Sequence, residues 1–375
     1  MAAMKARILI AILAATAAVG CSKKKDQEGR EPAVATPPVA SGSAGSGSAG
    51  SGSIVVETPT PDPKLVARGD YLSKMFGCPV CHMGFGEKGP DFSKPFSGGM
   101  EVTEAFGTWR APNITPHKGS GIGTWKVEDV MAAVREGVRP DGSHMFPIMP
   151  YPNYNRMTDD DARAIATYLL QVPAIDHVVA PNKDLKMPQV SVPKPENKPD
   201  PVADPVKHGE YLVTIMHCNN CHATPGKDHM PDLAGHPFGG GMVMELAFLG
   251  EGKLNAANIT SDKETGIGKW TDADIVKVLK TMTRPDGTII QGAMQFYQAG
   301  WATLQDKDLA AIAAFIKTIP ADKNKVPKST FKPRPMGPPP GTASGSGGAG
   351  SGAGSAATGS GAGSAAMGAG AGSAK

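Results

Sequence analysis

The sequence lacks three features that mark large classes of protein. Its formal net charge is only +3 at pH 7, which is not the strongly basic footprint of a nucleic-acid binder. Its longest apolar run, Ile8 to Val19, is too short for a comfortable membrane span. No stretch shows the alternating pattern of a half-buried strand. The sequence therefore argues against nucleic acid as a partner, against a membrane-spanning protein and against a β-sheet fold.

The N-terminus nevertheless predicts export. Residues 1–20 read as a signal peptide, with Lys5 and Arg7 ahead of the short apolar run. Ala18-Val19-Gly20-Cys21 resembles a bacterial lipobox, so we expect cleavage before Cys21 and a lipid on that cysteine. The alternative is an ordinary secretory signal that leaves Cys21 as a free thiol. Both place the chain in the cell envelope, facing the periplasm, and Ser22 favours the outer over the inner membrane.

Three segments have a composition that cannot form a hydrophobic core. Glycine (47) and proline (34) are abundant and are concentrated in tails and linkers. Such segments bury too little apolar surface to offset chain entropy. We predict a flexible tether behind the lipid anchor over 21–63, a stiff Pro-rich linker over 177–201, and a disordered tail over 321–375.

Between the tails, an internal repeat relates residues 64–176 to residues 202–320. The paired segments keep the same order: Arg68-Gly69-Asp70-Tyr71-Leu72 with His208-Gly209-Glu210-Tyr211-Leu212, Cys78-Pro79-Val80-Cys81-His82 with Cys218-Asn219-Asn220-Cys221-His222, Asn113-Ile114-Thr115 with Asn258-Ile259-Thr260, Gly121-Ile122-Gly123-Thr124-Trp125 with Gly266-Ile267-Gly268-Lys269-Trp270, and Arg139-Pro140-Asp141-Gly142 with Arg284-Pro285-Asp286-Gly287. We call these ranges the first and the second repeat, and we predict that each is a domain.

Each repeat reads as helices joined by long loops. Helices are expected over Val66 to Phe76 and Val206 to Met216, and after Thr158 and Thr271. Apolar residues at 3–4 spacing mark the last helix of each repeat: Ala162, Ile165, Ala166 and Leu169, then Leu309, Ile312, Ala313 and Ile316. Loops this long suggest that each all-α domain wraps around a bound group.

The two Cys-x-x-Cys-His motifs indicate which group is bound. On a helical turn, residues i and i+3 lie on one edge, so Cys78 and Cys81, like Cys218 and Cys221, can bond the two vinyl groups of one porphyrin. The histidine that follows, His82 or His222, is then placed to bind the iron. This spacing is the signature of covalent haem c attachment, and two copies predict two haem groups.

Other uses of these cysteines fit less well. A zinc site would need ligands from both repeats. A Cys-x-x-Cys disulfide suits an exported protein, but nothing around the motifs resembles a thioredoxin fold.

The sixth iron ligand is predicted from the repeat. Met149 and Met294 each follow the Arg-Pro-Asp-Gly turn by seven residues and precede the last helix. Methionine is often a core residue, and the competing ligands are His144 and Met145 in the first repeat and Met282, His229 and His236 in the second.

Two further pairs are candidate contacts to the haem propionates. Trp125 and Trp270 would donate their ring N–H, and Arg139 and Arg284 would pair with the carboxylates. Packing and surface turns explain these residues equally well.

The order of these motifs resembles class I cytochrome c domains, most of all the tandem domains in cytochrome subunits of bacterial membrane-bound alcohol and gluconate dehydrogenases. Those subunits carry three haem domains where this chain has two. The resemblance implies a first and a last helix that cross closely, with Gly69 and Gly209 facing Tyr168 and Phe315.

The function expected is electron transfer between redox partner proteins rather than catalysis. His/Met ligation closes the iron to substrate and raises its potential. The alternative is a dihaem peroxidase, which would leave one iron open. A structural or adhesive lipoprotein would leave both haem motifs unexplained.

Overall fold

The computed structural model describes residues 60–334, apart from 87–88, 105, 184, 228–229 and 245–249. The predicted signal peptide, Cys21, nearly all of the tether, His229 and residues 335–375 lie outside the described residues. Within the described part, no helix is both long enough and apolar enough to span a membrane.

The two repeats have the same order of α-helices, with different short strands between them. The first repeat contains α1 (Pro63–Met75), α2 (Cys78–Cys81), β1 (Gly84–Gly86), β2 (Gly89–Asp91), β3 (Glu101–Glu104), β4 (Gly107–Arg110), α3 (Val127–Glu136), α4 (Tyr151–Tyr154) and α5 (Asp159–Leu169). The second contains α6 (Pro205–Ile215), α7 (Cys218–His222), β5 (Val243–Met244), β6 (Gly250–Glu251), β7 (Leu254–Asn255), α8 (Asp272–Thr281), a 3₁₀ helix (Ala293–Tyr297), α9 (Gln298–Trp301) and α10 (Asp306–Thr318), with β8 (Lys332–Pro333) after it.

The core is helical, as predicted, but the expectation of no strands is wrong. The described residues form four antiparallel two-stranded sheets: β1 with β2, β3 with β4, β5 with β7, and β6 with β8. None of these strands exceeds four residues. Strands this short, several of them with glycine or proline, are too brief for an alternating pattern to show in sequence.

The predicted close crossing of the first and last helices is confirmed in both repeats. A Cβ added at Gly69 would meet the Ala164 carbonyl oxygen and lie 2.5 Å from Tyr168 Cβ. At Gly209 it would meet the Ala311 carbonyl oxygen. Only a residue without a side chain lets the two backbones approach this closely.

The predicted helix starts are also confirmed. Thr271 and Asp274 form a reciprocal capping box, in which Asp274 N–H donates to Thr271 Oγ1 (3.2 Å) and Thr271 N–H to Asp274 Oδ2 (2.8 Å). Thr158 Oγ1 accepts from the N–H of Asp161 at 3.1 Å. The apolar stripes on α5 and α10 lie in the hydrophobic core, which orients both helices toward α1 and α6.

The repeats contact each other through a reciprocal pair of hydrogen bonds. Tyr71 Oη donates to Asp308 Oδ2 at 2.5 Å, and Tyr211 Oη donates to Asp161 Oδ2 at 2.8 Å. The tyrosines occupy matching positions on α1 and α6, and the aspartates occupy matching positions on α5 and α10. The contact therefore has approximate twofold symmetry.

Each of these buried aspartates is also held by a basic residue of its own repeat. Arg68 Nε lies 2.9 Å from Asp161 Oδ1, and His208 Nε2 lies 2.9 Å from Asp308 Oδ1. The carboxylates are thus satisfied from both sides, as buried charges must be.

The segments after α5 and α10 are more ordered than the sequence suggests. The described residues of 177–201, all but 184, form no helix or strand, yet Asn182 Nδ2 donates to the Arg110 carbonyl (2.9 Å) and Tyr151 Oη to the Val190 carbonyl (2.6 Å). The prediction of a disordered tail is wrong for residues 321–334, where Asn258 Nδ2 donates to the Asp322 carbonyl (2.7 Å) and β8 pairs with β6. Hydrogen bonds to the folded repeat compensate for their small apolar content.

Candidate cofactor sites

Both Cys-x-x-Cys-His motifs lie on single helical turns, α2 and α7, which begin after a residue in the left-handed conformation. The four thiols are half-buried and free, so the described cysteines form no disulfide. Burial raises the pKa of Cys78 and of Cys218 to about 12, which keeps these thiols protonated at neutral pH. The helical spacing puts both sulfurs of each motif on one edge, as covalent attachment to one porphyrin requires.

The histidine of each motif is held in one orientation by the backbone. His82 Nδ1 lies 2.8 Å from the Pro112 carbonyl oxygen, and His222 Nδ1 lies 2.7 Å from the Ala257 carbonyl oxygen. A carbonyl can only accept, so Nδ1 carries the proton and Nε2 keeps its lone pair for a metal. Burial lowers the pKa of both histidines, which favours the neutral form that binds iron.

Those carbonyls are fixed by the Asn-Ile-Thr segments, whose role the sequence did not reveal. Asn113 Oδ1 accepts from the N–H of Thr115 (2.9 Å) and from its Oγ1 (2.8 Å). Asn258 accepts in the same way from Thr260, at 3.0 and 2.7 Å. Because each asparagine directly follows the carbonyl that orients the histidine, this turn is the supporting layer of the site.

In the second repeat the predicted residues line one apolar cavity of about 480 Å³, a volume typical of a cofactor pocket. Six predicted site residues are in its wall: Cys218, Cys221, His222, Trp270, Arg284 and Met294. The remaining wall is largely aliphatic and aromatic. A free Nε2, two thiols on one edge and a thioether in a dry cavity are a donor set that fits a covalently bound haem.

The competing ligands of the second repeat have other roles. His236 Nδ1 lies 2.6 Å from Asp322 Oδ2, and the His236 side chain is exposed. Met282 is the C-cap of α8 and is 1% exposed in the core. His229 lies outside the described residues.

In the first repeat, Met149 and Trp125 are partly buried and pack against the same core as Cys78. The competitor His144 is exposed. Arg139 donates to Ser143 Oγ at 3.1 Å, and its partner in the repeat, Arg284, donates to Thr288 Oγ1 at 3.2 Å. Both arginines therefore have a turn-stabilising role of their own.

The zinc alternative finds no support in the described part of the chain. It holds no group of three or more histidine, cysteine, aspartate or glutamate side chains arranged to bind a metal ion.

Comparison with known proteins indicates the same class of protein as the two motifs do, cytochrome c. Residues 66–173 match the family model for cytochrome c. A diheme cytochrome c-type protein of Cereibacter sphaeroides is 31% identical over 288 residues, which cover 69% of this chain and 90% of that protein. The cytochrome c subunit of a quinone alcohol dehydrogenase from Gluconacetobacter polyoxogenes is 32% identical over 289 residues, 71% of this chain and 58% of the subunit. The cytochrome c subunit of gluconate 2-dehydrogenase from Pantoea cypripedii is 31% identical over 281 residues, 68% of this chain and 60% of the subunit.

The chain belongs to the cytochrome c family, and it is an electron-transfer protein that binds haem. The sequence resemblance is thereby confirmed. The chain spans somewhat more than half the length of the dehydrogenase subunits that it matches. Because two of the relatives are named as cytochrome c subunits and the third as a diheme cytochrome, the prediction that this chain is an electron carrier and not itself the catalytic enzyme is also confirmed.

Proposed function

We propose that this chain is a dihaem cytochrome with two tandem cytochrome c domains that relays electrons in the bacterial cell envelope. The observation that carries the proposal is the identical local geometry of the two motifs. In each, a helical turn presents two thiols, and the following histidine donates Nδ1–H to the carbonyl before an Asn-Ile-Thr turn. A repeat kept for packing alone would not need this arrangement twice.

The proposed axial ligands are His82 with Met149 and His222 with Met294. Met294 supports this because it lines the same cavity as His222, and Met149 occupies the matching place in the first repeat. Two axial side chains leave no open coordination position on the iron, and a methionine ligand raises the potential.

The haem supplies one-electron iron chemistry, and the chain's residues set its conditions. The cysteines fix the porphyrin edge, and the carbonyls of Pro112 and Ala257 hold each imidazole in one tautomer. The apolar wall excludes water, which also favours a raised potential. Trp270 and Arg284, in the wall of the second cavity, are the proposed propionate contacts there, with Trp125 and Arg139 as their first-repeat equivalents.

The experiment that tests the cofactor content is the intact mass of the denatured, purified protein. Two covalent haem groups per chain are expected, because thioether bonds survive denaturation. A mass with one haem, or with none, would contradict the proposal.

The proposed electron donor is a dehydrogenase, because two of the relatives are named as cytochrome c subunits of an alcohol dehydrogenase and a gluconate 2-dehydrogenase. The acceptor is a second, unidentified redox protein.

We further propose that a lipid on Cys21 anchors the chain, periplasm-facing, in the outer membrane. Replacement of Cys21 by serine should release the protein from washed membranes, whereas unchanged retention would contradict the anchor.

No observation on the described residues favours the peroxidase alternative, and ligation by Met294, as proposed, would leave no open position on the second iron. Turnover of hydrogen peroxide should be no faster than with free haem c. A clearly faster rate would show that one iron is accessible.

A further inference from the structure

A tyrosine side chain lies between the two haem-binding motifs. The ring of Tyr297 covers Gly77, the residue directly before Cys78, and a Cβ added at Gly77 would lie 2.7 Å from Tyr297 Cδ1. The same side chain lines the cavity that holds Cys218 and His222. One ring therefore contacts the start of the first motif and the wall of the second site. Burial raises the pKa of this phenol far above its ordinary value, so it stays neutral.

A histidine completes the contact from the second motif. His217 directly precedes Cys218 and has φ 47°, a left-handed conformation that costs about 1 kcal/mol for a residue other than glycine. Its ring centroid lies 6.2 Å from that of Tyr297 and 6.0 Å from that of Tyr154. The matching residue of the first repeat is Gly77, which takes the same conformation without strain. Strain of this kind often marks a functional position.

The rings continue on either side without a gap. Tyr154 lies 5.9 Å from Phe76, and Tyr297 stacks on Trp301 at 5.0 Å. Trp301 Nε1 donates to the carbonyl of Met75, across the boundary between the repeats, at 2.9 Å. Tyr154 and Trp301 are 4% and 6% exposed, whereas Tyr297 and His217 are partly exposed and line the cavity of the second repeat.

We propose that Tyr297 and His217 form the bridge through which an electron passes between the two haem groups, and that they keep the two motifs in contact through a path of packed rings. The inference rests on the proposed dihaem function. In the step, one electron leaves a ferrous haem, which becomes ferric, and reduces the other, ferric haem. No bond forms or breaks and no proton moves, in keeping with the neutral side chains of the bridge.

The rate of electron transfer depends on how closely the protein packs between the two haem sites. Close-packed side chains leave few voids, and even a small gap removes the contacts across it. Tunnelling of an electron is faster through packed, polarisable rings than through a gap or loosely held water. A smaller residue at position 297 would open such a gap over Gly77, because glycine has no side chain to fill it.

The test measures how fast an electron equilibrates within the holoprotein. A redox titration first gives the two potentials, and flash photoreduction of the oxidised protein then follows the redistribution by absorbance. Tyr297→Leu should slow the redistribution several-fold in protein that carries both haems, by more than any change in the two titrated potentials accounts for. Tyr297→Phe keeps the ring and should restore the wild-type rate. Phe92→Leu makes the same kind of change at an exposed ring and should leave the rate unchanged.

His217→Gly is the second variant, because glycine accepts the left-handed backbone and only the imidazole is lost. This variant should fold, and its electron redistribution should also be slower than in the wild type. It provides the test of the bridge if Tyr297→Leu does not fold. One haem per wild-type chain would overturn both the dihaem function and the bridge. Two haems with an unchanged rate in both variants, or a Tyr297→Phe rate as slow as that of Tyr297→Leu, would overturn the bridge alone.

Discussion

The two repeats share one plan, and their differences lie where they meet. In the first repeat, Asn113 Nδ2 donates to the carbonyls of Ile175 (2.8 Å) and His177 (3.2 Å), and in the second, Asn258 Nδ2 donates to the Asp322 carbonyl (2.7 Å). The start of the supposed linker and the start of the supposed tail are therefore the same structural part. It packs behind the turn that orients the haem histidine, so each functional unit extends beyond its last helix.

The facing surfaces of the repeats are less alike. Gly77 in one repeat corresponds to His217 in the other, and Arg68 corresponds to His208. Each copy of a duplicated unit must keep the same cofactor site. Residues at the contact between the copies can differ, because each of them faces a different partner. The comparison thus separates the residues that form each proposed haem site from the residues that form the contact between the repeats.

The largest expected effect comes from removing the thioether bonds of one repeat at a time. Cys78→Ser with Cys81→Ser should leave one covalent haem, and Cys218→Ser with Cys221→Ser should leave the other. Each motif and the carbonyl that orients its histidine belong to one repeat, so neither loss should abolish the other attachment. Intact mass and the haem spectrum check this. Loss of both haems in either double variant would mean that the repeats do not mature independently.

Next in size is the asparagine behind each histidine. Asn113→Ala and Asn258→Ala should each lower the free energy of unfolding by about 3 kcal/mol, because several buried hydrogen bonds are lost. Asn→Asp at either position is the matched control: the carboxylate can still accept from Thr115 or Thr260, but the donor to the following segment is lost. Chemical denaturation should place the aspartate variants between wild type and alanine. Equal losses for both substitutions would show that the turn bonds contribute nothing.

The cross-repeat tyrosines should have a smaller and symmetric effect. Tyr71→Phe and Tyr211→Phe should each cost about 1–2 kcal/mol, the loss expected for a hydrogen bond to a carboxylate. The partner aspartates keep Arg68 or His208, so neither becomes unpaired. The two losses should roughly add in the double variant. If only one substitution changed the unfolding midpoint, the reciprocal contact would not be energetically symmetric.

The smallest effect is a pH dependence confined to the second repeat. Asp322 raises the pKa of His236, to which it is bonded. This contact stabilises the folded state fully below the unfolded histidine pKa of about 6.5, and it is lost as the pH rises through the higher folded value. Proteolysis of the segment after α10 should therefore speed up above neutral pH. His236→Asn should remove that dependence, and the first repeat, with Lys94 at the matching position, should show none.

Local sequence signals predicted the helices well, and local spacing is also the basis of the proposed attachment residues. Each helix signal, from Thr158, Thr271 or an apolar stripe, lies within a single helix. The Cys-x-x-Cys-His spacing is likewise local, because both thiols must reach one porphyrin. The repeat then identified Met149 and Met294 as matching positions.

The remaining features depend on residues far apart in the chain. The carbonyls that hold His82 and His222 belong to Pro112 and Ala257, and carbonyls carry no sequence signal. The ordered segment 321–334 is held by Asn255 and Asn258 rather than by its own composition. The contact of Tyr297 with Gly77 joins the two repeats and is invisible within either one.

The most direct test of the central claim is the far-red absorption of the fully oxidised protein, because this weak band arises from methionine sulfur bound to ferric haem. Its intensity is compared with the total haem content. The account predicts two methionine-ligated haems per chain, with half of the band lost in Met149→Ala and half in Met294→Ala. A band equal to one ligation or none in the wild-type protein, at two haems per chain, would contradict it.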